Sequence, residues 1–579
     1  MRFQDIYNAL PLTICGSAVF LGACVHAQEF PSSVLTSETD TFINQVLTDW
    51  QSPGGAAVAV VRKSPQGDWI VETKGYGAAT INGSKVTENT RFAIGSNSKL
   101  FDALSVGLLV NNETLSPRLS WSSKIASIVP GWGLMDPVAA KQATIIDLMS
   151  HRTGMPRHDF SYRWFDDLPS VVKKLRSLKP SAEFRDPWQY DNMMYMVLAY
   201  IPEVLAKMPF ARFVKQHIFD PLGMTSTTYS FDVANASGQL ADGLTRRNGV
   251  VRAYPFWSTL GGEDGNVVSG PGGVISTAVD MATWLQTLLL EGVKPGTNTS
   301  VIPTEAISKV ATGITVITGA AQFPELSPVV YGGGQSRSTY QGHEFIEHDG
   351  GTLGFYSRVT RLPFDNVGVA VLTNDDDAGF IIMDIIRFRL VEVALGLKNV
   401  DWSSRFKAST SASRQSLPER PTNTTAPQVK LELLTGKYDS AGYGGFELCL
   451  MFSPSPKASK ACKDLTARAL TILPGALNPN VPTFLSEWNT TAVPYISFTH
   501  LNGNVFDVRG LASYPTNDPS QPYWATSSPG SAEGSFAELV VEGGRIGFGV
   551  TGVWGAGDGV PGPQGKTVRE RSEAWFDKV

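Results

Sequence analysis

Two periods of hydrophobic residues run along this chain, and they divide it. Ala56 to Arg62 is a short β-branched apolar run and Trp69 to Gly75 is a second. Turn-forming Ser64-Pro65-Gln66-Gly67 stands between them, so the pair predicts a β-hairpin. Helical spacing follows at Leu100 to Val110, Ile145 to Ser150, Met193 to Ala206, Phe210 to Phe219 and Thr277 to Leu290. A late strand pair then returns, Phe355 to Leu362 and Val367 to Thr373, joined by Pro363-Phe364-Asp365-Asn366. Strands first, helices in the middle and strands last imply one sheet closed by both ends of a domain, with helices packed on it. Further on, short alternating runs such as Tyr495 to Thr499, Ala537 to Val541 and Ile546 to Thr551 lie between Gly, Pro, Asn and Asp clusters. They predict a small antiparallel β-domain, sandwich or barrel.

From Trp402 to Gln428 the chain is rich in Ser, Thr, Arg and Pro and has almost no apolar period, which predicts a linker over residues 402–430. It separates a larger domain at 28–401 from a β-domain at 431–579; 579 residues are too many for one core. Residues 1–27 read as a cleaved leader. Arg2 opens it, Leu10 to Val25 are mostly apolar, and Val25-His26-Ala27 suits a cleavage site. A membrane anchor is the alternative, but the stretch is short and diluted by Thr13, Cys15, Gly16 and Ser17. Export to the extracellular space is therefore expected, with no membrane association after cleavage.

Cysteine use agrees with export. Only Cys449 and Cys462 remain after the leader, and a disulfide between them would stabilise a small loop by roughly 3 kcal/mol. Two unpaired buried thiols are the alternative. Asn-x-Ser/Thr sequons at Asn82, Asn112, Asn235, Asn298, Asn423 and Asn489 are candidates for glycosylation and hence for the surface. A net charge of −5 with no basic run excludes nucleic acid as an expected partner. Asp375-Asp376-Asp377, the one sharp acidic run, reads as a solvated turn.

The chemistry centres on Arg91-Phe-Ala-Ile-Gly-Ser96-Asn-Ser-Lys99-Leu-Phe-Asp-Ala-Leu, where an apolar helix begins just after Gly95. Ser96 and Lys99 are three apart and share one helical face. A desolvated amine can take the serine proton, and the helix start offers an N–H and a positive dipole to an oxyanion. By itself S-x-x-K is a weak signal. Ser170-Val-Val-Lys173 and Ser404-Arg-Phe-Lys407 repeat it, and Ser96 alone reads equally well as a helix N-cap. Order and spacing decide. Tyr190-Asp-Asn192 and His348-Asp-Gly350 follow, the tyrosine and histidine 94 and 252 residues after the serine.

This trio resembles the three motifs of the serine β-lactamase and penicillin-binding family, nearest its class C and D-alanyl-D-alanine carboxypeptidase or esterase branch. Thr144-Ile-Ile-Asp-Leu-Met-Ser-His151-Arg-Thr-Gly154-Met-Pro, Phe219-Asp-Pro-Leu-Gly223-Met and Gly272-Gly-Val-Ile-Ser-Thr277 look like further family signatures, so the likeness covers Phe42 to Leu397. It implies an α+β fold, an antiparallel sheet flanked by helices with an all-helical insert. The C-terminal part resembles the lipocalin-like β-domain that some relatives append, whose role would be to cover the active-site mouth or to bind a partner. By position, Ser96 would form the acyl-enzyme, and Lys99 and Tyr190 would share the proton. Asn192 would hold Lys99 and the substrate amide or ester. The N–H groups of Ser96 and Gly351 would make the oxyanion hole beside His348 and Gly350. No metal or organic cofactor is implied.

His348 departs from the Lys-Thr-Gly that the lactamases carry. Histidine is mostly neutral at pH 7, and Asp349 adds negative charge, so a penicillin-like anion is expected to be held poorly. His343-Glu344-Phe-Ile-Glu347-His348 does not make a zinc HExxH, since glutamate stands at 347, and it reads as a strand end. No G-x-S-x-G occurs. Trp188, Tyr254, Phe256 and Trp257 read as core, or alternatively as the wall of an apolar acyl pocket. The expectation is a secreted serine hydrolase acting on a small-molecule or peptide ester or amide. The alternatives are an acyltransferase of secondary metabolism with the same acyl-enzyme, and a non-catalytic binding protein. Oligomeric state is not legible.

Overall fold

The computed structural model describes residues 31–412, 420–452, 457–528, 531, 534–557 and 559–579. The leader at 1–27 and residues 413–419 of the expected linker lie outside them. The larger domain is built on an eight-stranded antiparallel sheet. Its strands are β1 (Gly55–Lys63), β2 (Trp69–Gly77), β3 (Thr315–Thr318), β4 (Val329–Tyr331), β5 (Ser336–Tyr340), β6 (His343–Thr352), β7 (Phe355–Leu362) and β8 (Val367–Thr373). The order across the sheet is β2-β1-β8-β7-β6-β5-β4-β3, so the first and last strands of the domain pair with each other inside the sheet, with Ala57 opposite Leu372.

Successive side chains of a strand point to opposite faces. Ala57, Ala59 and Val61 enter the core under α2 (Ser98–Asn111) and α5 (Ala278–Leu289). Ala56, Val58 and Val60 enter a second core under α1 (Ser37–Asp49) and α6 (Gly379–Leu395). Both faces of β1 are covered, which is why it reads as a continuous apolar run rather than an alternation. Between β2 and β3 lies the insert, which includes α2, α3 (Ile145–Met149), α4 (Asn192–Ala206) and α5. It also carries a short hairpin, Gly243–Arg247 with Val250–Tyr254.

The stretch expected to be a linker instead begins as a helix, α7 (Trp402–Ala412). Trp402 is buried and stacks on Phe388 with ring centroids 4.2 Å apart, Phe406 packs on the same core, Arg405 pairs with Glu325 at 2.8 Å, and Ser403 accepts from Trp50 Nε1. Two apolar residues one turn apart among polar ones are too short a stripe to read as a period. Residues after 419 are tied to the second domain through Arg420 to the His500 carbonyl and the Gln428 N–H to Asn504.

That second domain is a closed antiparallel barrel. Its strands are β9 (Gly436–Asp439), β10 (Phe446–Leu450), β11 (Thr483–Glu487), β12 (Tyr495–Asn502), β13 (Val505–Pro515), β14 (Tyr523–Ser528), β15 (Ser535–Glu542), β16 (Arg545–Thr551) and β17 (Ala574–Lys578). They run β12-β11-β10-β9-β17-β16-β15-β13, and β12 pairs with β13 to close the ring while β14 flanks β13. Closure removes the edges that small sheets otherwise expose. Tyr438, Phe446, Phe484, Phe498, Phe506 and Phe548 fill the interior. The disulfide Cys449–Cys462, with Cα atoms 5.3 Å apart, ties α8 (Lys460–Ile472) to β10.

The two domains share one apolar cluster. Trp488 of the barrel stacks on Phe160 at 5.7 Å. The fully buried His158 donates from Nε2–H to the Lys179 carbonyl (3.0 Å) and accepts at Nδ1 from the Tyr443 hydroxyl (2.6 Å), and its backbone N–H donates to the Trp554 carbonyl (2.8 Å).

Candidate active site

The serine sits where a strand turns into a helix. Phe92–Ala93 pairs with Ile275–Ser276, and after Gly95 the chain enters a 3₁₀ turn and then α2. Gly95 has φ of +51°, and a Cβ there would lie 2.6 Å from the Gly351 nitrogen. Only glycine allows both that backbone and so close an approach of β6. Gly350 is similarly constrained, since its Cβ would meet the Ile94 carbonyl. The Gly272-to-Thr277 signature fixes the turn from the other side, because the Val274 N–H donates to Ser98 Oγ and its carbonyl accepts from the Ile94 N–H.

Lys99 is fully buried, with Nζ 3.0 Å from Ser96 Oγ, 2.8 Å from Asn192 Oδ1 and 2.8 Å from the Pro271 carbonyl. Burial drives its pKa well below the ordinary lysine value, and the nearby Arg157 pushes the same way. Asn192 Oδ1 and the carbonyl can only accept. A neutral Lys99 therefore spends its two N–H bonds on them and turns its lone pair to Ser96. One turn on, Asp102 is buried with neither carboxylate oxygen paired among the described residues. Burial raises its pKa strongly, so it supplies no full counter-charge to hold Lys99 as the cation.

Tyr190 reaches the same oxygen from the loop before α4, its O–H donating to Ser96 Oγ at 2.5 Å. His151, whose φ is +55°, holds this loop. Its carbonyl accepts from the Gln189 N–H, its Nδ1 accepts from the Asp191 N–H at 3.1 Å, and its ring lies 4.5 Å from the Tyr190 ring. His151 lies in the turn after α3, a helix whose start is fixed by the Thr144–Asp147 capping box, and Arg152 and Arg185 bind Asp147. Burial raises the Tyr190 phenol above its ordinary pKa, the Arg157 guanidinium 4.8 Å from its ring acting against this. Burial thus moves the two groups in opposite directions, the phenol up and the amine down.

Asn192 opens α4, and its amide is oriented by a residue that the motifs did not reveal. Nδ2 donates to Asp159 Oδ1 (3.0 Å), which leaves Oδ1 for Lys99. Asp159 also accepts from the Tyr162 hydroxyl and from Arg157 Nε, each at 2.6 Å. The only sequence signal was that Arg157-His158-Asp159 directly follows the Gly154-Met-Pro turn.

The third motif lies in β6, not at its end. β6 pairs with β5 only as far as Glu347, so from His348 onward that edge turns to Ser96. Thr352 and Phe355 close a two-residue hairpin, and antiparallel alternation then points the Gly351 N–H away from β7 and toward the site. Ser96 and Gly351 amides thus face one space. His348 is buried. Nδ1–H donates to the Asp349 carbonyl and Nε2 accepts from the Tyr331 hydroxyl at 2.8 Å, which describes a neutral imidazole. Burial lowers its pKa to about 4. Asp349 lies 3.7 Å from Arg358, which also binds Asp384.

Residues 41–387 match the family model described as Beta-lactamase. The chain belongs to the beta-lactamase family. It is 30% identical over 422 residues to an unguisins hydrolase, ungD', of Aspergillus campestris, covering 69% of this chain and 75% of that one. An unguisins hydrolase, ungD, of Aspergillus violaceofuscus is 28% identical over 453 residues, covering 73% of this chain and 78% of that one. The octameric penicillin-binding protein homologue from Pyrococcus abyssi shares the fold over 93% of this chain and 99% of its own, with a TM-score of 0.51 and 17% identity.

Within this beta-lactamase family chain the other candidates fall elsewhere. Ser170 lies in the exposed capping box of the Leu168–Lys174 helix, and the Ser404 hydroxyl donates to Asp401. His343 is in β6 facing Asp365 at 3.0 Å. The acidic run is a turn, but only partly a solvated one: Asp377 is exposed, Asp376 half-buried and Asp375 buried. Asp375 accepts from the Asp377 and Ala378 N–H groups ahead of α6, Asp376 accepts from the Gly354 N–H and the Tyr254 hydroxyl, and Asp377 accepts from Thr245 and the Arg246 N–H. Free backbone amides and a helix start draw the first two carboxylates inward. Of the four aromatics, Trp257 lines the cavity at Ser96, Phe256 lines the cavity beside it, Trp188 packs on His151, and Tyr254 packs on Tyr514 and Trp524 of the barrel. Asn82, Asn235, Asn298, Asn423 and Asn489 are exposed, and Asn112 is half-buried.

Proposed function

We propose that this chain is a secreted serine hydrolase that cleaves an ester or amide through an acyl-enzyme on Ser96, and that it is not an effective penicillinase. The observation that carries the reading is the convergence of an amine at 3.0 Å and a phenol at 2.5 Å on one serine oxygen. Neutral Lys99 takes the Ser96 proton as Oγ attacks the substrate carbonyl. The Ser96 and Gly351 N–H groups stabilise the oxyanion. Tyr190 delivers a proton to the leaving oxygen or nitrogen and is refilled from Lys99. Water then cleaves the acyl-enzyme by the reverse sequence. The neutral, committed His348 supports a substrate without the penicillin carboxylate, because no lysine-like cation stands at the third motif. The names of the two fungal relatives make an unguisin the first natural substrate to try.

A fluorophosphonate probe followed by peptide mapping tests this. The label should sit on Ser96 and vanish in Ser96→Ala, and turnover of a simple aryl ester should exceed that of a chromogenic cephalosporin. Labelling elsewhere, or robust penicillin hydrolysis, would overturn the reading.

A further inference from the structure

Beside the cavity at Ser96, about 240 Å³, lies a larger one of about 920 Å³ between the two domains. Trp257, Gly351, Thr352, Thr491 and Ala492 line both, so the second space is continuous with the catalytic one. Its volume is in the range of roughly 300–1,000 Å³ that holds a sizeable organic ligand. Rings make much of its wall, beside the polar but uncharged Thr352, Asn489 and Thr490. Trp164 stands 5.6 Å from Trp257, Phe256 and Tyr356 follow along the catalytic domain, and Tyr514 closes the barrel side. Phe165 is 69% exposed near its mouth. Asp376 is the one charged lining residue, and its two oxygens are already taken by the Gly354 N–H and the Tyr254 hydroxyl.

The barrel's wall is the turn between β11 and β12. It is fixed at three points: Trp488 stacks on Phe160, the Thr491 N–H donates to the Tyr162 carbonyl at 3.1 Å, and Thr490 bridges to Arg163. Ala492 at its tip is exposed, so the space above it is not filled by the protein itself.

We propose that this groove binds an uncharged, aromatic-bearing segment of an extended peptide or acyl substrate on one side of the bond that is cut, and that the barrel turn at Thr491 and Ala492 selects for it. The proposal rests on the Ser96 hydrolase reading and adds its substrate class. Ring-lined walls reward aromatic contact through burial and offset packing, and a groove without a free charge does not repay desolvation of an ion.

The test uses the full chain and a filling substitution, Ala492→Trp, on an exposed position that folding tolerates. For wild type, kcat/KM for the p-nitrophenyl ester of acetyl-Phe-Phe-Ala should exceed that for p-nitrophenyl acetate, and Ala492→Trp should reduce that ratio roughly 30-fold. An unchanged ratio overturns the proposal. Binding separates it from the catalytic reading. In a Ser96→Ala background, calorimetric titration with acetyl-Phe-Phe-Ala amide should give a Kd at least about tenfold weaker once Ala492→Trp is added. Equal affinities overturn the groove even if Ser96 is labelled. A lost affinity supports it even if Ser96 is not.

Discussion

The site at Ser96 and the groove beside it are neighbours built on opposite principles. The first is polar and buried, with each hydrogen bond assigned: Lys99, Tyr190, Asn192 and Asp159 form one chain in which every partner fixes the next. The second is apolar and open, walled by rings and by a barrel turn, with no free charge. Chemistry demands fixed distances and shifted proton affinities, which burial supplies. Selection among apolar substrates demands only shape and area. The same fold can keep the first and alter the second by changing one loop of an appended domain.

Breaking the polar region should produce the largest effect. Ser96→Ala should lower kcat by roughly 10⁴- to 10⁶-fold while the melting temperature stays close to wild type, as measured by ester turnover and calorimetry. A loss below about tenfold would remove Ser96 from the mechanism.

The contact that joins the regions comes next. Trp488→Ala leaves a cavity under Phe160 and should destabilise the protein by about 3–5 kcal/mol in denaturant titration. A change under about 1 kcal/mol would show that the barrel is not packed on the catalytic domain as described.

pH probes both regions through two buried imidazoles. His348 in the site and His158 at the domain boundary each have a pKa lowered to about 4, burial being the main cause. Between pH 6.5 and 4 the unfolded chain binds these protons and the folded chain does not, so stability falls as pH falls through that window. Each group accounts for about 3 kcal/mol when fully expressed. Unfolding measured from pH 7 to pH 4 should show the decline, and His158→Gln should lessen it while His348 and the buried His151, whose pKa burial also lowers, keep the remainder. The depressed Lys99 has the opposite consequence for rate: kcat/KM should rise as pH climbs through its pKa and frees the amine.

Asp159→Asn sharpens the division between touching substrate and positioning a residue that does. Loss of the charge that orients Asn192 and pairs with Arg157 should lower kcat by about 10- to 100-fold with little change in KM. A pure KM effect would argue for direct substrate contact. The smallest effect is expected at Asp102. Because its carboxyl is held neutral, Asp102→Asn should change kcat/KM less than about threefold and leave the pH–rate profile in place. A shifted profile would mean that an ionised Asp102 holds the Lys99 cation.

How much of this was readable in the chain follows from the range of each interaction. The strands at Ala56 and Val367 announce themselves as short unbroken apolar runs, because both of their faces are covered, and the helices at Leu100 and Met193 by apolar residues at helical spacing. Ser96 and Lys99 were legible for the same reason, since one helical turn joins them. Trp402–Ala412 was missed because a stacked indole and an ion pair to the distant Glu325, not a long apolar stripe, hold it. Asp375-Asp376-Asp377 misled because three adjacent carboxylates look solvated until the amides that receive them arrive from Gly354 and Arg246.

What the sequence determined by itself is therefore the sheet with its covering helices, the later β-domain, and the family of the chain. Only the tertiary structure decided that Asp159 turns the Asn192 amide, that the Tyr190 hydroxyl and the Lys99 amine meet at Ser96 Oγ, and that Thr491 and Ala492 line the cavity beside it. The reason is physical. Local periodicity is written in neighbouring residues, whereas desolvation and hydrogen-bond direction depend on which distant segments close over a group, and those are fixed only when the domains pack.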